Sequence, residues 1–417
     1  MISSLNDGGI SPKGKSLRNR GSGKVSHLAT IDLEKDFFLH ETVFGSGFPR
    51  LNKARDFLGE LKQEDIPYLM DVFELWKNYD TYLFLKGTHR ETAKTQYLLS
   101  KCSKRGNDVY ARRIDARLGF LKYKDNRKFF DGLDFDDHGQ PLDKKKGVKT
   151  RLLWVTLTFD SKLSILDDAW RGEIVTKVKQ RGKNIGGEYL GHSLRCRCIQ
   201  CQFNLWITNL RNEYGKINYV VFPQAYPDKN GDAFGYPHIH IILLFEEKEF
   251  NVFQTYKFDK RKKEWGFVYR IQEKKELHEQ GKWLSFSDVK AIQSLSALYN
   301  YAKKHFFNAG YGDSDEATLN NSVMWFYKKK SFNMSGDFRE KLSEFIRKDK
   351  HNSKRFQAVL DGGKPFSVIE WEFLGCFSAK RIKRVLDVGD PPFDFISLSV
   401  DEADKLLNPS VKERLRF

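Results

Sequence analysis

The segment INYVVFPQAYPDKNGDAFGYPHIHIILLF, residues 217–245, has the clearest secondary-structure pattern in the chain. Two apolar, partly β-branched runs, Tyr219–Phe222 and Ile241–Phe245, flank a stretch rich in proline, aspartate, asparagine and glycine. Such runs are typical of strands, and such a stretch is typical of a loop. The segment therefore predicts a strand, a long hairpin loop and a second strand.

The second of these strands begins with His238-Ile239-His240. Side chains two residues apart on a strand point to the same face, so both imidazoles should project together while Ile239 turns into the core. Two imidazoles on a rigid strand can supply two ligands to a divalent cation, and an oxygen ligand could complete the site. An isolated pair of this kind also occurs on ordinary polar strand faces, so further motifs have to decide.

Composition indicates a polyanionic partner. The 417 residues contain 72 Lys+Arg against 55 Asp+Glu, a net charge of +17, which favours nucleic acid. The length allows two or three domains. We expect a cytoplasmic protein without a membrane partner, since no apolar run could span a bilayer and residues 1–30 contain no secretory signal. The five cysteines, an odd number, do not resemble a secreted disulfide framework.

The first part of the chain is expected to be a disordered basic tail over residues 1–28 and a mainly helical accessory region over residues 31–130. Apolar residues recur at three- and four-residue spacing in Asp56–Leu61, Ile66–Trp76 and Ala93–Tyr123. Part of the accessory region, between Arg90 and Arg117, is also strongly basic, and its helices could dock DNA or simply be solvated.

Turn residues and dense charge at 131–149 predict a boundary, after which we place one domain at 149–310. A C-terminal α/β region at 311–417 is expected to contact DNA or to pack on this domain. Arg151–Asp160 has the make-up of a central strand and ends in polar residues that include Thr156 and Thr158.

A cluster of metal-binding residue types follows the first predicted strand of this domain. His192, Cys196, Cys198 and Cys201 lie within ten residues and have the ligand types of a structural zinc site. The Cys-x-Cys-x-x-Cys spacing differs from the usual paired Cys-x-x-Cys. Free thiols and a disulfide therefore remain open alternatives.

Three further segments complete the pattern. Phe253–Tyr256 and Trp265–Tyr269 suggest a hairpin. Ser287–Phe307 is predicted to be a helix with Ser287 as its N-cap, and its later half contains two tyrosines and two lysines. Trp325–Ser335 is basic and aromatic.

The order of a Thr-containing strand, a His-x-His strand and a helix with Tyr-x-x-Lys resembles the HUH endonucleases, specifically the rolling-circle replication initiators of plasmids and small viruses. Val155–Asp160 is similar to the first family motif and His238-Ile239-His240 to the second. Leu298–Lys304 is similar to the third, and together the motifs span about residues 150–310. The resemblance implies an α+β fold, an HUH-type antiparallel sheet flanked by helices in a ferredoxin- or RRM-like catalytic core.

The resemblance also implies a cation site for Mn²⁺ or Mg²⁺ held by His238, His240 and a third ligand. Family members often have an acidic residue on the strand before the His pair, whereas Gln224 stands here. An amide oxygen can bind a hard cation, although it brings no charge. Asp228 or Asp232 from the long loop could replace it.

By the same resemblance, Tyr301 is the nucleophile and Lys304 its helper on one helix face. The phenol would attack a phosphodiester of single-stranded DNA, keep the 5′ phosphate and release a 3′-OH. Tyr299 with Lys303 is a competing pair at four-residue spacing, and whichever tyrosine is not the nucleophile would be a packing residue.

The expected partner is single-stranded origin DNA, with a separate helicase and polymerase supplied by the host. Residues expected to bind it are Thr156, Thr158, Trp325, Lys328, Lys329 and Lys330. Basic side chains with aromatic platforms suit single strands, although the Trp325 segment could equally form core. An HUH transposase or relaxase, or a DNA-binding protein without catalysis, are the alternative functions.

Overall fold

The computed structural model describes residues 60–90, 92–118, 148–172, 174–175, 191–192, 196–259, 263–292, 299–300, 302, 314–340, 369–386 and 395–408. The predicted tail over residues 1–28 lies outside the described residues. The helices are α1 (Ile66–Asn78), α2 (Asp108–Leu118), α3 (Leu166–Arg171), α4 (Ile199–Tyr214), α5 (Lys274–Gly281), α6 (Asp315–Phe326), α7 (Ala379–Leu386) and α8 (Val400–Leu407).

The strands, in chain order, are β1 (Thr81–His89), β2 (Thr95–Lys101), β3 (Val148–Thr150), β4 (Leu152–Thr158), β5 (Ile174–Val175), β6 (Gly191–His192), β7 (Ile217–Ala225), β8 (Pro237–Phe245), β9 (Phe250–Asp259), β10 (Glu264–Ile271), β11 (Ser287–Ala291), β12 (Asn333–Met334), β13 (Ile369–Ser378) and β14 (Phe395–Leu398). The described part is thus a mixed α+β structure with antiparallel sheets. None of its helices has the length and apolarity needed to cross a membrane.

A five-stranded antiparallel sheet in the order β11-β4-β8-β7-β12 forms the centre of the structure. The predicted hairpin of residues 217–245 is confirmed, since β7 and β8 pair along their whole lengths, from Ile217 opposite Phe245 to Ala225 opposite Pro237. The predicted strand at 151–160 is β4, which pairs with the other edge of β8. The His-bearing strand is therefore central, with neighbours on both sides.

One face of this sheet is covered mainly by helices. Leu153, Val155, Ile239 and Ile241 lie on this face and are at most 2% exposed. They belong to one apolar cluster with residues of α1, α3, α4, α5 and α6. Ile239 thus faces the core, as the alternation of side chains in a strand requires.

The opposite face is only partly covered. Near one end of the strands, Trp154, Phe222 and Ile242 pack in a second cluster with Ile114 of α2 and with Tyr299, among others. Toward the other end, the same face continues as threonine, histidine and glutamine side chains. The functional site begins where this apolar cover ends.

A second sheet, β10-β9-β3, contains the predicted hairpin of residues 253–269 and confirms it. The prediction of a helix over Ser287–Phe307 is wrong for its first part. Ser287–Ala291 is strand β11, which pairs with β4. Ser287 is the first residue of this strand rather than a helix N-cap, and its hydroxyl lies 2.9 Å from Nδ1 of His278. Tyr299, Asn300 and Ala302 do have helical backbone.

The region predicted to be mainly helical contains a β-hairpin. Helices α1 and α2 confirm part of the prediction. The prediction of a helix over Ala93–Tyr123 is wrong at its beginning, because Thr95–Lys101 is strand β2. β1 and β2 form a four-stranded sheet with β13 and β14, in the order β13-β1-β2-β14. The hairpin is stable because strands more than 250 residues away complete its sheet, which local periodicity does not reveal.

Candidate functional site

The two histidines of β8 lie side by side on the open face of the central sheet. Their ring centroids are 4.9 Å apart, with the planes nearly perpendicular. The ring of His240 also stacks on Trp154 at 5.5 Å, and the ring of His238 meets the edge of Tyr226 at 5.7 Å. Both imidazoles are thus held in place by aromatic neighbours, which reduces the entropy lost on binding a ligand.

His238 has the properties of a metal ligand. It is buried, and its Nδ1 has no hydrogen-bond partner among the described residues. A buried polar atom without a partner is costly, so its presence calls for an explanation, such as a bound ion. Burial lowers the pKa of His238 to about 4, so the imidazole is neutral at physiological pH. The neutral ring is the form that binds metals.

Gln224 lies directly opposite His238 in the β7–β8 register, and its side chain is buried on the same face. Cross-strand partners have Cβ atoms about 4.5–5.5 Å apart, which allows a shared ligand. Both loop aspartates are exposed, and Asp228 is the one that lines the cavity in front of the histidines. Neither aspartate joins a metal-ligand cluster with the histidines: in the described residues, the group of three or more His, Cys, Asp or Glu side chains with converging ligand atoms is the cysteine cluster.

Thr156 and Thr158 face the histidines from β4, opposite His240 and His238 respectively. Oγ1 of Thr156 lies 3.0 Å from Nδ1 of His240. This contact engages one ring nitrogen of His240 and fixes the orientation of the ring, as partners of metal-binding histidines commonly do. Thr156, predicted to contact DNA, is thus a hydrogen-bonding partner of His240.

The site opens into a cavity of about 960 Å³. Its walls include both histidines, both threonines and Gln224, and also four carboxylates, those of Asp228, Asp288, Asp315 and Glu316. Lys229 pairs with Asp315 at 2.9 Å. The excess of acidic groups favours a cation in the cavity and would oppose a phosphate on its own.

Of the two tyrosines predicted as nucleophile and competitor, Tyr299 lies within the described residues. Tyr301, Lys303 and Lys304 lie outside the described residues. Tyr299 is 7% exposed and packs in the second apolar cluster with Trp154 and Phe222. Its surroundings are those of a packing residue on the same sheet face as the His pair.

Asp288 and Arg270 are site residues that the sequence interpretation missed. Asp288 stands opposite Thr156 on β11 and lines the cavity. Burial raises its pKa, but the hydrogen bond and charge of Arg270 outweigh this effect and leave the pKa lowered. The signal was present in the alternation Ser-Asp-Val-Lys-Ala, in which the polar Asp288 and Lys290 share one strand face.

The thiols of Cys196, Cys198 and Cys201 form a compact group, with their sulfurs all within 4.8 Å of one another. They could hold a metal ion. Cys198 directly precedes α4 and is 1% exposed. Burial lowers the pKa of the nearby Lys329, while the thiols act on that pKa in the opposite direction. His192 belongs to β6, and its side chain lies outside what the structure describes.

The predicted DNA-binding segment after α6 divides into two kinds of residue. Trp325 contacts Phe73 at 5.6 Å and Trp76 at 5.1 Å between ring centroids, so its packing favours a core role. Lys328 and Lys330 are exposed, whereas Lys329 is half-buried. DNA contact therefore stays a prediction for the exposed lysines.

No family model matches the chain, and neither does any curated protein or solved structure.

Proposed function

We propose that this protein is a site-specific single-stranded DNA endonuclease and strand transferase of the HUH type. It would nick and rejoin origin DNA through a covalent 5′-phosphotyrosine and so initiate and terminate rolling-circle replication. The observation that carries the proposal is the pair of rigid imidazoles beside the buried amide of Gln224, on the one sheet face that opens into a large cavity. The net charge of +17 supports a DNA substrate.

His238, His240 and Gln224 are the proposed ligands of Mn²⁺ or Mg²⁺. When bound, the cation would supply Lewis-acid polarisation of a non-bridging phosphoryl oxygen. Thr156 holds His240 in its orientation, and burial keeps His238 neutral. Two imidazoles and an amide bring no negative charge, so the site depends on the surrounding carboxylates more than a site with an acidic ligand would.

The resemblance assigns the covalent step to Tyr301. Its phenolic oxygen would form a bond to phosphorus as the bond from phosphorus to the DNA 3′ oxygen breaks. The phenol proton is lost, and the leaving 3′ oxygen takes up a proton to become a hydroxyl group. Lys304 is proposed to stabilise the charge that develops. Attack by a 3′-OH on the phosphotyrosine would reverse the step and rejoin the strand.

A covalent-capture assay tests this proposal. Tiled single-stranded oligonucleotides from the DNA that encodes and flanks the chain are incubated with the protein and Mn²⁺ or EDTA, and SDS-resistant adducts are sequenced. We expect one adduct site that requires Mn²⁺. It should disappear in Tyr301→Phe and His240→Ala and persist in Tyr299→Phe, which keeps the packing ring.

The third ligand is tested in the same assay. Gln224→Leu should raise the Mn²⁺ concentration for half-maximal cleavage by at least about tenfold, whereas Asp228→Asn, which removes one of several nearby charges, should raise it by less. Loss of the adduct in Tyr299→Phe alone would show that Tyr299, rather than Tyr301, is the nucleophile. Absence of any adduct, with single strands still bound, would favour the DNA-binding protein without catalysis.

The order of the motifs favours an initiator over the other HUH functions. In relaxases the tyrosine usually precedes the His motif, whereas here Tyr301 follows His238 and His240. Transposases with one tyrosine share the order found here but are usually much shorter than 417 residues.

We also propose that the cysteine cluster binds structural zinc. Three sulfurs within 4.8 Å of one another are spaced as ligands of one ion, and Zn²⁺ is the ion that such thiolates usually hold in structural sites. The cluster lies at the beginning of α4, whose buried face covers the central sheet. Zinc there would fix the start of a core helix.

A further inference from the structure

A groove lies next to the His cavity, and its lining includes Phe253 of β9, Phe286, and residues of β10 and α5. Its volume is about 680 Å³, within the range of small-ligand sites. Phe253 is 41% exposed and Phe286 is 63% exposed, so two large apolar rings are left in solvent. Exposed rings in the lining of a groove indicate a partner with a flat apolar surface.

The charged residues of the groove are mainly basic. Arg270 stands directly opposite Phe253 in the hairpin register, and Lys274 and Lys275 line the groove from α5. Two of these cations have acidic partners, since Asp288 binds Arg270 and Glu279 lies 3.8 Å from the amine of Lys275. No carboxylate is among the described residues that line the groove itself. The groove therefore combines aromatic rings with positive charge, the combination found in single-strand binding grooves.

The groove and the His cavity share a wall. Phe286 lines both of them, and its carbonyl accepts a hydrogen bond of 3.0 Å from the backbone N–H of Thr158. Thr158 in turn pairs with His238. A strand of nucleic acid that leaves the cavity past Phe286 would enter the groove at once.

We infer that this groove binds one base of the single strand, next to the phosphate that lies at the His pair. The base packs against the exposed rings of Phe253 and Phe286, while Lys274 and Lys275 neutralise the adjoining backbone. This inference rests on the proposed function and adds to it the residues that position the strand beside the scissile bond.

Substitution of groove residues, compared with substitution on the other face of the β9–β10 hairpin, provides the test. Binding of the adduct-forming oligonucleotide to the full-length protein is measured by fluorescence anisotropy in EDTA, where cleavage does not occur. We expect Phe253→Leu and Phe286→Leu each to weaken binding by about 5- to 150-fold. Lys274→Gln with Lys275→Gln should reduce the slope of log affinity against log salt by about 1.4.

The matched controls are Tyr256→Leu and Trp265→Leu. These rings are each 59% exposed and stack at 5.2 Å, but they lie on the opposite face of the hairpin from Phe253. Their substitution should leave binding unchanged. Thermal unfolding of every variant should match the parent, since all four rings are exposed.

An abasic scan locates the base. Replacing one nucleotide after another by an abasic residue should reveal one position beside the nick that weakens binding to the parent but not to Phe286→Leu. If the abasic residue weakens binding equally in the parent and in Phe286→Leu at every position, the groove is not a base-binding site, and the proposed nicking function is unaffected. Failure of the parent to bind single strands would overturn both. A changed sedimentation coefficient of the DNA-free variants, with DNA binding intact, would assign the groove to a second copy and overturn the inference.

Discussion

Thr156 orients the imidazole ring of His240 by a side-chain hydrogen bond. Its hydroxyl lies 3.0 Å from Nδ1 of the ring, and replacement by the isosteric valine removes this contact without leaving a cavity. Thr156→Val should therefore weaken Mn²⁺ binding by about 10- to 100-fold, as loss of a partner that orients a metal ligand generally does. Isothermal titration with Mn²⁺ measures the change. Thr158→Val, on the same strand and face, is the control, and equal affinities for parent and Thr156→Val would exclude the supporting role.

Lys104 is a buried cation far from this site. It is 4% exposed, donates to the carbonyl of Trp76 at 3.3 Å, and lies over the rings of Trp76 and Tyr79 at 5.4 and 5.5 Å. Burial lowers its pKa from 10.5 to about 8, against the opposing influence of nearby thiols and Asp80. The charged form is therefore less favourable in the folded protein than in the unfolded chain.

The sign of the pH dependence follows from this lowered pKa. Below pH 8 both states carry the proton, and between pH 8 and 10.5 the unfolded chain keeps it while the folded protein loses it. The free energy of unfolding should therefore gain about 3 kcal/mol from this residue as the pH rises through that window. Urea unfolding at several pH values should show the rise in the parent and in Lys101→Met but not in Lys104→Met. A rise that survives in Lys104→Met would assign it to other groups.

At the scale of single elements, the cysteine cluster predicts a metal-dependent helix start. We expect about one Zn²⁺ per chain by atomic emission, lost in Cys198→Ser and in Cys201→Ser. Cys376→Ser should keep the zinc, because that thiol belongs to β13 rather than to the cluster. Removal of zinc with a chelator should lower the melting temperature of the parent and leave that of Cys198→Ser unchanged. Parent protein purified without bound zinc, and unable to take it up, would contradict the site.

The elements that the sequence predicted well are those with a local signal. The hairpin of residues 217–245 has long β-branched runs around turn residues, and α1 has the predicted apolar spacing, with Leu69 and Phe73 buried. His238 and His240 could be placed on one strand face for the same reason. The pairing of Gln224 opposite His238 required the register, which the long loop does not fix.

The elements that were missed depend on distant partners. Ser287–Ala291 is a short edge strand that exists because β4, about 130 residues earlier, offers a free edge. The helix-like polar and apolar mixture around it masked its alternation. As a result the sequence does not predict which residues lie beside the His cavity, among them Asp288, Arg270 and the groove lined by Phe253 and Phe286.

At the scale of the whole molecule, the two ends of the described chain fold together. β1 pairs with β13 from Thr81 opposite Ser378 to His89 opposite Ile369, and β2 pairs with β14. A separate apolar cluster joins them, with Tyr82, Phe84 and Leu99 from one end and Phe377, Ile382 and Leu406 from the other. Neither end can bury its apolar face alone, because a two-stranded hairpin is at best marginally stable in water.

Deletion of residues 366–417 should therefore unfold β1 and β2 rather than merely shorten the protein. It removes the hydrogen-bonded neighbour from both edges of the β1–β2 hairpin, and exposed edges of this kind promote aggregation. Hydrogen exchange of the Thr81–His89 amides should change from protected to unprotected, and gel filtration should show aggregates. Deletion of residues 409–417, beyond α8, should keep the protection, and co-expression of a 366–417 fragment with the truncated chain should restore it. Retained protection of β1 in the larger deletion would mean that the hairpin is held by the central sheet and its helices, and that the terminal sheet is not a cooperative unit.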